Sequence, residues 1–302
     1  MVTFKLEIKG SIKLGKLSPY LYIAPALIFS AVFLYYSIGF TIYTSFHEWN
    51  GLTMDQKFVG IRNYVDLFTD DRLFSALWHN LIFMACVIFV QIFGGLLLAV
   101  LLKAKLTGHG FFKSLLFFPN ILAPIVVAAV FRIMLDPNMG SINKFFVAVN
   151  LDVLAVPWLG DPFFALLSII IVNIFSFLGF AVVLYASGLL AIPEEMYESA
   201  KIDGSGFWNT FFKITFPMSH GTTTTMLVLG ITGGLKAFDV ISLLTGGGPG
   251  YSTEVLNTYL YKRLFNDFNG GLSAATGVFI LTISVAMSII QIKIYDRSQR
   301  DI

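Results

Sequence analysis

Six stretches of this chain, at 20–46, 77–102, 111–135, 163–190, 218–244 and 272–294, are apolar over lengths that match the hydrocarbon layer of a bilayer. A helix rises about 1.5 Å per residue, so about 20 residues cross roughly 30 Å of hydrocarbon, where no water can satisfy an unpaired backbone. Each stretch is therefore expected to be helical. The expected fold class is an all-α polytopic membrane protein with about six transmembrane helices. Composition agrees, since 56% of the 302 residues are hydrophobic and 13% charged, against about 45–50% and 25% in soluble domains.

Orientation depends on where Lys and Arg sit, not on their sum. Lys5, Lys9, Lys13 and Lys16 precede the first stretch, Lys103, Lys105 and Lys113 follow the second, and Lys293, Arg297 and Arg300 close the chain. This distribution predicts a basic cytoplasmic tail over 1–18, a membrane domain over 19–296 and a cytoplasmic tail over 297–302, with both termini inside. The first loop mixes Glu48, Asp55, Asp66, Asp70 and Asp71 with Lys57, Arg62 and Arg72, as suits the outer face; its 59–71 segment is expected to hold a small structured element. The first stretch is too long for a signal peptide and ends in no small-residue cleavage site, so it reads as a retained helix.

Between the fourth and fifth stretches lies a polar segment, 191–217. Pro193 suits a first helical turn, and Glu194 and Glu195 then sit at the positive end of the helix dipole, which predicts a short helix over 193–202. Ala200 and Gly204 would leave a flattened place for another protein's backbone, with Met196 and Tyr197 as apolar anchors. An amphipathic helix lying on the membrane surface is the ordinary alternative. The segment reads Glu198-Ser199-Ala200, three residues, Gly204, nine residues, then Ile214-Thr215-Phe216-Pro217. It resembles the coupling loop of ABC-importer permeases, whose pattern is Glu-Ala-Ala, three residues, Gly, nine residues, Ile-x-Leu-Pro; only Ser199 and Phe216 depart. Gly95 to Ala99, Phe111-Phe112-Lys113, Phe118-Pro119, Phe238-Asp239-Val240-Ile241 and Thr245-Gly246-Gly247-Gly248-Pro249 are similar to segments of sugar-type permeases and follow the family's order.

That resemblance implies a type I ABC importer permease of the binding-protein-dependent, maltose-type oligosaccharide class, in a bacterial or archaeal cytoplasmic membrane. The implied partners are a second related permease, two ATP-binding cassette ATPase subunits, an extracytoplasmic solute-binding protein, a sugar and membrane lipid; nucleic acid is not expected. ATP and Mg would bind the ATPases, leaving this chain without a cofactor and without enzymatic chemistry. Coupling to the ATPases would fall to a cytoplasmic helix with Glu195, Tyr197, Glu198, Ala200, Asp203, Gly204, Ile214 and Pro217.

Asn173, Phe177 and Phe180 lie at i, i+4 and i+7 of the fourth stretch and so share a face. An amide offers donors and acceptors to hydroxyls and a ring stacks on a sugar's C–H face, while simple packing is the competing account of the phenylalanines. In the resembling permeases this same helix contacts the sugar. Gly230, Gly233, Gly234 and Ala237 line one face of the fifth stretch, either for close helix packing or to leave room for ligand. Lys236 and Asp239 could snorkel, pair or face a path.

Other chemistries fit poorly. Gly10 to Lys16 has the glycines and lysine of a P-loop, but Leu17 stands where Ser or Thr would hold magnesium and no strand–helix unit surrounds it. His47, His79, His109 and His220 lack close metal-ligand spacing, and His79 and His220 read as polar caps near helix ends. Cys86 stands alone, which excludes an internal disulfide and suggests a small buried apolar residue. Few carboxylates occur in the apolar stretches, against an intramembrane hydrolase or a proton-coupled carrier. A permease for glycerol phosphate or polyamine is the alternative within the class. The Pro- and Gly-rich third loop, 136–162, is expected to hold a re-entrant or surface helix, and Gly246 to Gly250 must turn the chain.

Overall fold

The computed structural model describes residues 18–53, 55–103 and 109–300. Lys5 to Lys16, the P-loop-like segment with Leu17, and Lys105 lie outside the described residues, as do the side chains of His109, Arg297 and Arg300.

The first span is a helix with one π turn: α1 (Ser18–Ser30), Ala31–Tyr35 and α2 (Tyr36–Ser45). A two-residue antiparallel hairpin, β1 (His47–Glu48) with β2 (Lys57–Phe58), and α3 (Arg62–Phe68) order the first loop. α4 (Asp71–Lys103) is the second span. The third stretch is broken, because α5 (His109–Ile121) and α6 (Pro124–Met134) meet at 95°. Pro124 explains the break: it offers no N–H to the preceding turn and holds Ala123 extended, at φ −59° and ψ 133°. The third loop carries the short α7 (Ser141–Ala148), tied down by hydrogen bonds from Asn143 Nδ2 to the Val156 carbonyl (3.0 Å) and from Trp158 Nε1 to Asn143 Oδ1 (2.9 Å).

α8 (Pro162–Gly188) starts on Pro162, with Asp161 accepting from the backbone N–H groups of Phe163 and Phe164. After it come α9 (Glu194–Ile202), α10 (Phe207–Thr210), a π turn over Phe211–Thr215, and α11 (Phe216–Met218). The fifth stretch is also interrupted: α12 (His220–Leu235) stops before Lys236 and the chain restarts as α13 (Asp239–Leu244). α14 (Leu256–Phe265) and α15 (Gly270–Arg300) complete the described residues. Among the described residues, four helices are long and apolar enough to cross a membrane, five if the bent α5–α6 pair counts as one span.

α8 is the hub, packed on α4, α5, α12 and α13, whereas the first span leans mainly on α15. Small residues set the close crossings: Gly95 faces Ala181, and Gly179 leaves no room for a side chain against the Leu116 backbone. Cys86 is exposed on α4 rather than buried, because Phe83, Met84, Val87 and Gln91 turn the opposite side of the helix inward.

Beyond the membrane spans, the Gly-rich segment after α13 is an ordered turn. Thr253 Oγ1 donates to the Gly248 carbonyl (2.7 Å) and meets Thr245 Oγ1 (2.7 Å), while Gly246 and Gly247 take φ of 60° and 86°. The turn delivers Glu254, 1% exposed, into ion pairs with Arg72 (3.3 Å) and Lys262 (3.1 Å). Arg72 stacks on Tyr251 at 3.8 Å, and His79 Nδ1 bonds the Glu254 carbonyl at 3.2 Å, so His79 ties α4 to the chain entering α14 instead of capping a helix end. Asp70 joins Arg263 and accepts from Tyr259 Oη (2.7 Å). Burial raises the Asp70 carboxyl, but the hydrogen bonds from Tyr259 and the Arg72 N–H, with the Arg263 and Arg72 charges, outweigh it and hold Asp70 below the ordinary carboxylate value.

Candidate functional site

α4, α8 and α12 enclose a cavity of about 250 Å³. Asn173, Phe177 and Phe180 line it from α8, and Gly230, Gly233 and Gly234 from α12, so two sets of residues separated in sequence meet on one space. α4 closes it with Phe83, Met84, Val87 and Gln91. A second chamber of about 140 Å³ adjoins the first and shares Phe83, Asn173, Phe177 and Gly233 with it. Ala237 lines only this second chamber, together with Lys236 and Asp239, which make no ion pair with each other. Among the described residues the larger chamber has no ionisable lining group; its polar side chains are the amides of Gln91 and Asn173. Such a wall can hold an uncharged polyhydroxyl ligand by amide hydrogen bonds and ring stacking, and it lacks the paired nucleophile and base of a bond-breaking site.

The glycines divide by role. A Cβ at Gly230 would meet Ile88 at 2.5 Å and one at Gly234 would meet Met84 at 2.7 Å, so these two let α12 lie close on α4. Asn80 Nδ2 strengthens that contact by donating to the Gly234 carbonyl (3.1 Å). At Gly233 a Cβ would meet nothing within 4 Å. Gly233→Val is therefore expected to fold like the parent and narrow the cleft, whereas Gly230→Val must displace Ile88 and costs about 1–3 kcal/mol. Thermal melting of the detergent-extracted protein tests this; equal destabilisation by both would show that position 233 is packed.

The polar segment forms a helix one residue shorter than its sequence suggests, with Pro193 as the extended residue before α9. Glu195, Glu198, Asp203 and Gly204 are exposed, as is Pro217 in α11; Ile214, in the π turn, is half-buried. Ala200 is 6% exposed, turned into the chain's own interior, and so does not form the flattened outer place expected of it. Tyr197 is also drawn inward: its ring lies under Lys103 Nζ (4.5 Å) and its hydroxyl accepts from Thr215 Oγ1 (3.4 Å). Gly204 has a second reason to be glycine. At φ 69° it ends α9, its N–H bonding the Lys201 carbonyl (3.1 Å) while the Ser205 N–H bonds the Ala200 carbonyl (2.8 Å), the double bond of a Schellman cap. The outward apolar residues of α9 are Met196, 43% exposed, and Ile202, 86% exposed, which the sequence marks only as the helix end.

This segment is packed to the cleft. Leu189, Ile192 and Phe211 share one apolar cluster with Ile92 and Leu96 of α4, Val182 and Tyr185 of α8, and Met226, which also lines the larger chamber.

The sequence pattern described as "Binding-protein-dependent transport system inner membrane component" matches residues 72–300. The probable ABC transporter permease protein YurN of Bacillus subtilis is 35% identical over 289 residues, covering 95% of this chain and 99% of that protein. The multiple sugar-binding transport system permease protein MsmF of Streptococcus mutans is 31% identical over 268 residues, 89% of this chain and 91% of that protein. The fold matches a chain of a bacterial ABC transporter involved in the import of the acidic polysaccharide alginate, with TM-score 0.78, 22% identity, and coverage of 94% of this chain and 97% of that one. It also matches a chain of the alginate transporter in complex with an alginate pentasaccharide-bound periplasmic protein, at TM-score 0.77 and 22% identity, covering 92% of this chain and 94% of that one.

Proposed function

Because the chain belongs to the inner-membrane components of binding-protein-dependent transport systems, we propose that the cleft between α4, α8 and α12 is its half of the path for a sugar or oligosaccharide. As an ABC permease subunit the chain is a transport component rather than an enzyme. The observation that carries the sugar reading is the larger chamber itself: Asn173, Phe177 and Phe180 meet the α12 glycines there in an uncharged, aromatic wall. A permease for an anion such as glycerol phosphate would be better served by basic residues, and among the described residues Lys236 is the one basic side chain lining either chamber.

On this reading, an extracytoplasmic binding protein delivers the solute, a second permease completes the path, and two ATPase subunits hold ATP and Mg. The basic tail over 1–18 and the tail over 297–302 lie in the cytoplasm with the coupling loop, 191–217. Glu195, Glu198, Asp203 and Ile202 offer α9 to an ATPase, while Tyr197 and Ala200 seat it on this chain. α9 follows α8 through one turn and leads into α12 through the π turn and α11, so a push on α9 reaches two walls of the cleft. The cluster that joins Phe211 to Met226 makes the link a packed one, which suits alternating access by a rigid two-state movement.

The test is ATP hydrolysis by the complex, purified with its partner subunits in proteoliposomes. Its own binding protein is added with maltose, a maltooligosaccharide, alginate pentasaccharide or glycerol 3-phosphate. Stimulation by a neutral sugar is expected; stimulation by glycerol 3-phosphate alone would replace the sugar reading with the anion reading.

A further inference from the structure

Gln91 is an anomaly in α4. It is 7% exposed, it lines the larger chamber, and its amide makes no hydrogen bond within the chain among the described residues. The amide opens onto the chamber instead of being sealed in the packing, so its donors and acceptor are available to whatever fills that space, where methionine or leucine would serve a purely structural position as well. The two chambers also place it. Asn173 lines both, with Phe83, whereas Gln91 lines only the larger one, with Phe180 and Met226. From Phe83 to Gln91, eight residues along α4, the helix rises about 12 Å. The two amides therefore stand toward opposite ends of the larger chamber, with the Phe177 ring on the wall shared by both chambers.

We propose that Gln91 is a second hydroxyl-binding residue of the cleft, which takes hold of an uncharged carbohydrate at the end remote from Asn173. The proposal rests on the cleft being the solute path. The primary amide both donates and accepts, which matches a hydroxyl, and the absence of an ionisable neighbour in that chamber keeps the contact neutral. It also gives α4, otherwise a packing helix, a part in recognition.

The test uses the reconstituted complex with its binding protein and radiolabelled maltose or maltooligosaccharide, whichever stimulates hydrolysis. Gln91→Met keeps length and volume and removes the hydrogen bonds. Uptake is expected to fall about five- to thirtyfold, the equivalent of one or two hydrogen bonds. Asn173→Leu is measured alongside. Loss with Asn173→Leu but full uptake with Gln91→Met overturns the role of Gln91 and leaves the path intact, whereas full uptake with both overturns the path as well. A second variant, Gln91→Cys in a Cys86→Ser background, reads the position without transport. A small methanethiosulfonate reagent should modify it, and saturating sugar with binding protein should slow that modification severalfold. An unreactive or unprotected thiol would count against the proposal even if Gln91→Met failed to assemble.

Discussion

Glu254→Ala is expected to destabilise the chain by about 3–5 kcal/mol, because it leaves the partly buried Arg72 and Lys262 without their shared counter-charge. The carboxylate is 1% exposed and its ion-pair distances are 3.3 and 3.1 Å, so water cannot replace it without opening the turn above. The loss should appear as little extractable, monodisperse protein and a melting point lowered by many degrees. Replacing all three residues, Glu254→Leu with Arg72→Met and Lys262→Met, should recover part of the stability, since removing a whole buried ionic group is often close to neutral. A melting point for Glu254→Ala within a degree or two of the parent would mean that the cluster holds nothing together.

Ile202→Asp should leave the chain folded and disconnect it from its ATPase. At 86% exposure the isoleucine contributes almost nothing to its own fold, so a stability change within about 0.5 kcal/mol is expected. As an apolar anchor in an interface it is the kind of residue whose loss costs 2 kcal/mol or more, about thirtyfold in retention of the partner. ATPase co-purification should fall accordingly, and sugar-stimulated hydrolysis with it. Ser199→Ala, on the same exposed side of α9, should be nearly silent. Gly204→Arg is a poorer probe, because φ 69° makes any side chain there strain the helix cap as well as the interface. Undiminished coupling in Ile202→Asp would show that α9 meets its partner through other residues.

What could be read without coordinates was local. Long apolar runs mark membrane-spanning stretches and Pro193 marks the start of α9 through backbone geometry that neighbouring residues scarcely alter, whereas the breaks in the third and fifth stretches and the cap at Gly204 emerge with the coordinates. Asn173, Phe177 and Phe180 were legible because an amide, rare in an apolar helix, is joined by two rings at the helical period on α8. Gln91 was not, since the other amide of α4, Asn80, lies eleven residues away and the sidedness of both depends on which helices surround them. The α12 glycines share a face in sequence, but only Ile88 and Met84 separate Gly230 and Gly234 from the open Gly233. Glu254 carries no signal in the sequence, because its partner Arg72 lies 182 residues away. Ala200 was misplaced for a related reason: small size suits a flat outer surface and a tight inner seat equally well.

The pairing of the first span with α15 sets an order of events for a nascent chain. α2 ends at Ser45 and α15 begins at Gly270, so at about 5–20 residues per second a ribosome needs on the order of ten to fifty seconds to supply the neighbour on which α2 packs. For that interval the first helix waits in the bilayer with its side chains against lipid, which its apolar circumference permits. The bundle formed around α8 can settle meanwhile, and the ring of helices closes last, when the end of the chain comes back to meet its beginning.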